Sequence, residues 1–542
     1  MEPGVLLIHA PTFQREYEQC WEQPQTVGST WLGLLFTIMC LAIHLHHRSE
    51  DKPSDSIRHI HQTSDTFRVQ AARCLVDAKY TTPSKYTIET LMLYTYAEYF
   101  ESQDPQHEIW ILLGIIMRLA MRMGLHRDPA RYPKLSCFQG EMRRRVWTFL
   151  AQLDTLFSFQ MGLPRMLKNE LTDTEFPCNL LDEDFDDGST TLPPPRPETE
   201  STLVSYLVAK SRIVAVFGII TDHVASTQPN SYESVLQLDR QLCDACASIP
   251  QHLRFRGISQ SIIEMPHIIM RRYQLEIVSQ KARCVLHRKY LTEDIAKPLH
   301  PNSRAICIDA AVKLLKYQAD IDTQTQPGGV LGQNRWFVTS LNSHDFILAA
   351  VIVCLELHFC SKNVPEDDSL SGSRQENIYV QELVHALQIS HSIWDASKDK
   401  SREAMQAFKT ITVMLEKANV PRTQYTNYPT NDMVTGSAGM TKTAEGGCGL
   451  NGNSNGEEYQ ATTADIDEEE LLPADRSLPG CGPVGNIRSL SSLGLPSEDI
   501  TMQDIWDFSG SFDWNAWDAA IQTPFTLETH DYTSGFESFH LI

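Results

Sequence analysis

Up to about Lys417 the apolar residues recur at helical spacing, and alternating strand-like runs are scarce. In the stretch TIETLMLYTYAEYF, Ile88, Leu91, Met92, Thr95, Tyr96 and Tyr99 repeat at i, i+3, i+4, i+7, i+8 and i+11, the stripe of an amphipathic helix. Thr87 is expected as its N-cap, with Glu89 favourable in the first turn. Ile109 to Met117 holds nine consecutive apolar or Gly residues, so the next helix is buried on most sides; it stops near Gly124, and Pro129 forbids continuation. A third helix is expected from about Glu141. Glu141 and Arg145 sit at i, i+4 in the favourable order, Trp147, Leu150, Leu153 and Phe157 line a core face, and Gly162 and Pro164 end it. The run WLGLLFTIMCLAIHL from Trp31 is 15 residues long, whereas a membrane span needs about 20; a buried core helix is expected, and no membrane partner.

Residues 182–200 (DEDFDDGSTTLPPPRPETE) are acidic and then Pro-rich, the composition of an exposed loop. That loop divides a first helical half, 1–190, from a second, 201–417. In the second half, helices are expected from Leu203 (with Tyr206, Leu207 and Ile213), over 234–249 with Pro250 closing, and over 273–290, 305–321, 346–359 and 401–417. The fold class is therefore all-α, a multi-helix core in two halves, and no solenoid-type repeat is found. Beyond Lys417 the composition turns to Gly, Ser, Thr, Asn and Pro, so 418–503 is expected to be a disordered linker.

Charge sharpens the last part. Of the net charge of −22, 15 negative charges lie beyond Asn455, where 17 Asp/Glu face only Arg476 and Arg488. The remainder, −7 over more than 450 residues, is ordinary, and this balance argues against a broad nucleic-acid or anionic-membrane surface. Within 504–542 hydrophobic residues return among the acids. Ile505, Phe508 and Phe512 are spaced i, i+3, i+7, as are Trp514, Trp517 and Ile521, with Trp506 beside them and Asp504, Asp507, Asp513 and Asp518 interleaved. Acid repulsion keeps such aromatics solvated until a partner groove captures them as one helix face. This alternation is the composition of activation segments; the competing reading is a segment that docks on the chain's own helical core.

No catalytic motif stands in its required context. Cys243-Asp244-Ala245-Cys246 is a mid-helix CxxC without a second pair, and reads as two core or boundary thiols. His44, His46, His47, His59 and His61 lack a carboxylate or thiolate framework and read as a polar helix end and loop. The GxGxxG match at Gly447, Gly449 and Gly452 has neither the strand nor the helix that dinucleotide binding needs. There is no P-loop, GxSxG or HExxH, so no enzyme is expected. Thirteen scattered cysteines suit reduced thiols of an intracellular protein, and Met1-Glu2-Pro3-Gly4 has no basic n-region of a secretory signal. Arg143, Arg144 and Arg145 fan over about 300° of a helix, so at least one must find a partner near the core. Asp154, in the apolar LAQLDTLFSF, is expected to be neutralised by an arginine such as Arg118 or Arg122, because an unpaired buried carboxylate costs several kcal/mol.

The chain resembles the fungal-specific transcription factor domain, the middle homology region of zinc binuclear cluster regulators. The resemblance runs through LIHAPTFQREYE, WLGLLFTIMCLAIH, TIETLMLY, WILLGIIMRLAMRMGLHRDP, EMRRRVWTFLAQLDTLFSFQMGLPR and NLLDEDFDD, with echoes in LHRKYL, SRAICIDAA, HDFILAAVIVCLEL and SREAMQAF. It covers roughly residues 5–417. Its structural signature is Trp110, Arg118, Gly124, His126, Arg127, Asp128, Arg144, Trp147 and Asp154. The resemblance implies a nuclear regulator of transcription, an activator of a metabolic or secondary-metabolite gene cluster working with transcription coactivators, as a homodimer or beside a DNA-bound zinc cluster regulator. The family's six-cysteine zinc module is not found: only Cys20 and Cys40 fall in the first 70 residues. Zinc and direct DNA contact are therefore not expected of these residues, and truncation of the sequence or gene upstream is expected. The alternative function is a non-DNA-binding protein that modulates or sequesters full-length regulators.

Overall fold

The computed structural model describes residues 2–49, 54–101, 105–228, 230–261, 263–293, 300–332, 340–362, 373–399, 402–417 and Trp514. Among them every regular element is helical and no strand occurs. The α-helices are α1 Ala10–Glu22, α2 Ser29–Ser49, α3 Ser54–Asp77, α4 Thr87–Glu101, α5 Pro105–Arg122, α6 Cys137–Gln160, α7 Leu203–Val224, α8 Tyr232–Ala247, α9 Pro266–His287, α10 Lys289–Glu293, α11 Pro301–Thr325, α12 Ser340–Lys362, α13 Ser373–Ser397 and α14 Arg402–Lys417. The all-α class read from the sequence stands. The linker 418–503, including Gly447, Gly449 and Gly452, lies outside the described residues.

Two hydrophobic cores form. The first gathers Leu34, Met92, Ile116, Met117, Leu150 and Phe157 with their neighbours; the second gathers Phe217, Leu242, Ile277, Leu314, Ile352 and Leu387 with theirs. Helices α6 and α7 supply both. Leu153 and Phe157 face the first core while Leu156 faces the second; Val204 and Leu207 face the first while Tyr206, Ile213 and Phe217 face the second. The two halves therefore meet along a shared pair of packed helices.

The local signals act largely where the periodicity places them. Ile88, Leu91 and Met92 are buried on α4. Thr87, however, is the first residue of α4 and not the residue before it: Tyr86 takes φ 67°, and the Thr87 hydroxyl accepts the Ser84 amide at 2.9 Å. Helix α5 ends in a left-handed turn at Gly124 (φ 75°), where the Gly124 and Leu125 amides return to Met121 and Ala120 at 2.9 and 3.0 Å, so the missing side chain is used for the reversal. Helix α6 begins a turn earlier than the expected Glu141, because Ser136 and Gln139 form a capping box. Residues 54–61, with His59 and His61, belong to α3 and not to a loop, and α1 and α13 add helices the apolar pattern did not mark.

Three helices, α2, α7 and α12, contain windows long and apolar enough to cross a membrane, so the 15-residue length argument does not hold for the run at Trp31, which lies inside a 21-residue helix. Protein packs against each of them, most fully on α12 and least on α2. Helix α2 packs on α3 and α4, α7 on α6, α8 and α9, and α12 on α9, α11, α13 and α14. On α12 every residue from Phe346 to Leu355 is buried, which explains a helix apolar all round.

Residues 182–200 form the expected loop, exposed over most of its length, but its start is fixed to the core. Leu180 and Phe185 are buried, Asp182 accepts Arg145 Nη1 at 2.6 Å and the Ala10 amide at 2.9 Å, and Asp184 accepts Arg196 Nε at 2.7 Å. Asp182 thus straps the start of the segment to α1 and α6, Asp184 pairs within it, and the Arg145 guanidinium lies 5.0 Å above the Phe185 ring.

Candidate functional site

The turn after α5 is built around Asp128. Its Oδ1 caps the short turn Pro129–Arg131 by accepting the Ala130 amide at 2.9 Å. Arg144, on α6, donates Nη2 to Oδ1 at 2.8 Å and Nε to Oδ2 at 2.9 Å, and the Glu175 amide donates to Oδ2 at 3.0 Å. Burial raises the Asp128 carboxyl, but Arg144 and the Glu175 and Ala130 amides outweigh it and hold the group below its usual range.

Residues 172–175 run beside this turn. The Asp173 amide and Thr172 Oγ1 donate to the His126 carbonyl at 3.1 and 3.0 Å, Thr174 Oγ1 donates to the Leu125 carbonyl at 2.6 Å, and Trp147 Nε1 donates to Thr172 Oγ1 at 2.9 Å. Asp173 accepts the Asp128 amide at 2.9 Å and pairs with Arg131 at 2.7 Å and Arg127 at 3.5 Å. Gly124, His126, Arg127, Asp128, Arg144 and Trp147 are therefore brought together. Trp110 is half-buried on α5 away from this network, and Arg118 donates back to the Gly114 carbonyl of its own helix at 3.1 Å.

Each arginine of the 143–145 run has its own partner: Arg143 the Met123 carbonyl, Arg144 Asp128, and Arg145 Asp182 and the Leu180 carbonyl, with Glu141 3.5 Å from its Nε. The cluster is spent inside the fold, which leaves no single basic face for phosphates.

Asp154 does not pair with Arg118 or Arg122. Its oxygens accept the backbone amides of Met166 and Leu167 at 3.2 and 2.8 Å, while Arg122 donates to the Thr81 carbonyl at 3.2 Å. Arg165, whose charge also favours the ionised Asp154, is hydrogen-bonded to Asp222 through Nε at 3.1 Å and Nη2 at 2.8 Å. The chain reverses at Gly162 (φ 59°) and brings two amides back over α6, which is the local solution to the buried carboxylate. Burial raises the Asp154 carboxyl, opposed by those amides.

In the second half, His287 Nδ1 lies 3.0 Å from Ser303 Oγ, and its Nε2 lies 3.6 Å from Asp239 Oδ1. This Asp–His–Ser order is the outline of a nucleophilic triad. Ser303 and His287 have no solvent exposure, and Ser303 Oγ is also 2.9 Å from the Tyr232 hydroxyl. A substrate has no approach to the hydroxyl, so the network fastens α8, α9 and α11 to one another. Nearby, Lys281 Nζ and Asp345 Oδ1 pair at 2.7 Å, each 4% exposed, with the ammonium 4.9 Å from the Phe159 ring centroid. Cys243 is exposed and accepts from Arg283 Nη2 at 3.4 Å, and Cys246 is half-buried against Ser279. His44 Nε2 meets Ser64 Oγ at 2.7 Å. Among the described residues no three His, Cys, Asp or Glu side chains gather as metal ligands.

Of the acidic–aromatic segment, Ile505, Trp506, Phe508, Phe512, Trp517 and Ile521 lie outside the described residues. Trp514 is described: it is buried in the second core, with the Arg288 guanidinium 4.9 Å from its ring centroid. No sequence periodicity relates these two positions, and the competing docking reading of the segment was the one signal available for their contact.

The fungal specific transcription factor domain matches residues 2–246. Over 96% of its length the chain is 38% identical to the Zn(2)-C6 fungal-type transcription factor mpsB of Macrophomina phaseolina, spanning 68% of that protein. It is 42% identical over 76% of its length to the Zn(2)-C6 fungal-type transcription factor pigI of Monascus ruber, and 40% identical over 78% to the equisetin cluster transcription factor eqxF of Fusarium heterosporum. It spans half of pigI and 60% of eqxF. No solved structure matches the chain. The chain belongs to the family of fungal transcription factors that carry this domain. Family and relatives alike are described as transcription factors.

Proposed function

We propose that the chain activates transcription of a metabolic or secondary-metabolite biosynthetic gene cluster in a fungal nucleus. Activation works by recruitment: the acidic–aromatic segment 504–542 engages a coactivator, and the helical core carries regulation and partner contacts. The composition of that segment carries the reading, with hydrophobic triplets at helical spacing among acidic residues and no Lys or Arg after Arg488. The relatives support the setting, since several are named for a cluster: equisetin, fusarisetin A and pyrrolocin. DNA is reached through a DNA-bound zinc cluster partner or through a zinc cluster module outside these residues, and zinc enters only with such a module.

The test is a fusion of residues 421–542 to an unrelated DNA-binding domain. The fusion is expected to raise reporter output, and Phe508→Ala, Phe512→Ala and Trp517→Ala together are expected to remove the rise. A fusion that does not exceed the DNA-binding domain alone contradicts the proposal.

A further inference from the structure

Trp514 is anchored far from its neighbours in sequence. It lies well beyond the end of α14 at Lys417, yet it is 9% exposed and belongs to the second hydrophobic core. The ring is met by Arg288, whose Cζ lies 4.9 Å from the ring centroid, inside the ~6 Å within which a cation is attracted to an indole face. Arg288 is itself 4% exposed, so the contact is made away from water, where such attraction is strongest. Arg288 is the C-cap of α9, its amide donating to the Cys284 carbonyl at 2.9 Å, and the negative end of the helix dipole suits a guanidinium there.

Charge matches on the two sides. Arg288 closes α9 and the exposed Lys289 follows it, and Asp504, Asp507, Asp513 and Asp518 accompany Trp514 in sequence. An acidic segment bearing an exposed-type aromatic thus meets a basic corner with a seat for one ring. We propose that the Arg288 corner at the end of α9 is a docking site for the chain's own acidic–aromatic segment, with Trp514 as its anchor, and that a partner protein must compete for the same ring. This rests on the activation reading, because it makes Trp514 both a core residue and a member of the triplet Trp514, Trp517 and Ile521. Docked, that triplet is one anchor short for capture by a coactivator; released, it is complete.

Hydrogen exchange on the full chain tests the docking without any transcriptional readout. Trp514→Ala is expected to speed amide exchange in 286–293 and 303–308 by about thirtyfold or more, the size of a desolvated cation–ring contact alone. A synthetic peptide of residues 504–521 is expected to restore the protection, and the same peptide with Trp514→Ala is not. Unchanged exchange in the Trp514→Ala chain, or equal rescue by both peptides, overturns the proposal. Protection that rises with chain concentration overturns it too, since a second copy's segment then fills the seat. Arg288→Met keeps the buried stem and removes the cation. It is expected to reproduce the local change and, on the full chain tethered to an unrelated DNA-binding domain, to raise reporter output. If the variant instead exchanges faster throughout, the Trp514→Ala chain and the two peptides decide alone. A failure of activation would leave the exchange result standing, so the two readings fail separately.

Discussion

Arg144 closes two edges of its guanidinium on Asp128, Nε to Oδ2 at 2.9 Å and Nη2 to Oδ1 at 2.8 Å, while the same carboxylate accepts the Ala130 and Glu175 amides. One side chain thereby fixes a helix exit, the following helix and the strap beside them. The planar fork matters, because an ammonium cannot span both oxygens. Arg144→Ala is expected to cost about 2–4 kcal/mol by leaving a largely buried carboxylate half-paired, and Arg144→Lys is expected to recover only part of it. Urea unfolding of the purified chain measures both; parity of the Ala variant with the parent contradicts this role for the turn.

Asp154 gives a sharper contrast. Asp154→Ala orphans the Met166 and Leu167 amides and is expected to cost about 2–4 kcal/mol, whereas Arg118→Ala, which removes only a bond to its own helix, is expected to stay within about 0.5 kcal/mol. If Arg118→Ala proves as damaging as Asp154→Ala, the two side chains are coupled and the amide account of the carboxylate is wrong.

Those two residues also show what the sequence can and cannot say. That a carboxylate in LAQLDTLFSF needs a partner follows from burial alone, but its partners are backbone amides delivered by the reversal at Gly162, and no helix-face argument reaches across that turn. The start of α6 was available in Ser136 and Gln139, whose capping box lies in a stretch too polar to read as helix. Helix α3 was hidden for the same reason, its first turns being polar and His-rich, and α13 because its apolar residues are sparse at its start. The core faces of α4 and α6 were legible because their periodicity is the burial itself. The contact of Trp514 with Arg288 was not, since it joins distant segments by shape and charge.

The Lys281–Asp345 pair is the most deeply enclosed ion pair between α9 and α12. Lys281→Ala is expected to cost about 3–5 kcal/mol by stranding Asp345, while Lys281→Met with Asp345→Leu is expected to be near neutral, as apolar replacements of buried pairs often are. A double variant no better than the single one would mean that the pair itself, and not the stranded charge, stabilises the helices. Double-mutant comparison of unfolding free energies reads this directly.

Two half-buried titratable groups shift in opposite senses. Burial lifts the Glu89 carboxyl to about 7 against its own amide, Lys85 and Arg143, and lowers His344 to about 4 with help from Lys281. Raising the folded pKa of an acid makes its contribution full below the unfolded value of 4.5 and lost as pH rises to about 7. Lowering that of a histidine makes its contribution full above 6.5 and lost as pH falls towards about 4. Relative to the parent, Glu89→Gln is therefore expected to gain stability, by about 2 kcal/mol, as pH rises from 4.5 to 7. His344→Gln is expected to gain as pH falls over 6.5 to 4. Thermal unfolding across this range checks both signs; a Glu89→Gln difference that does not change with pH contradicts the assignment.

The central claim is control of transcription of a biosynthetic gene cluster, and transcript profiling of the source fungus with and without this gene tests it most directly. The account predicts that transcripts of one contiguous set of biosynthetic genes collapse in the deletion strain and return when the parent gene is restored, but not when the restored gene carries Phe508→Ala, Phe512→Ala and Trp517→Ala. A deletion strain in which no such set changes, or full recovery with the triple variant, would contradict it.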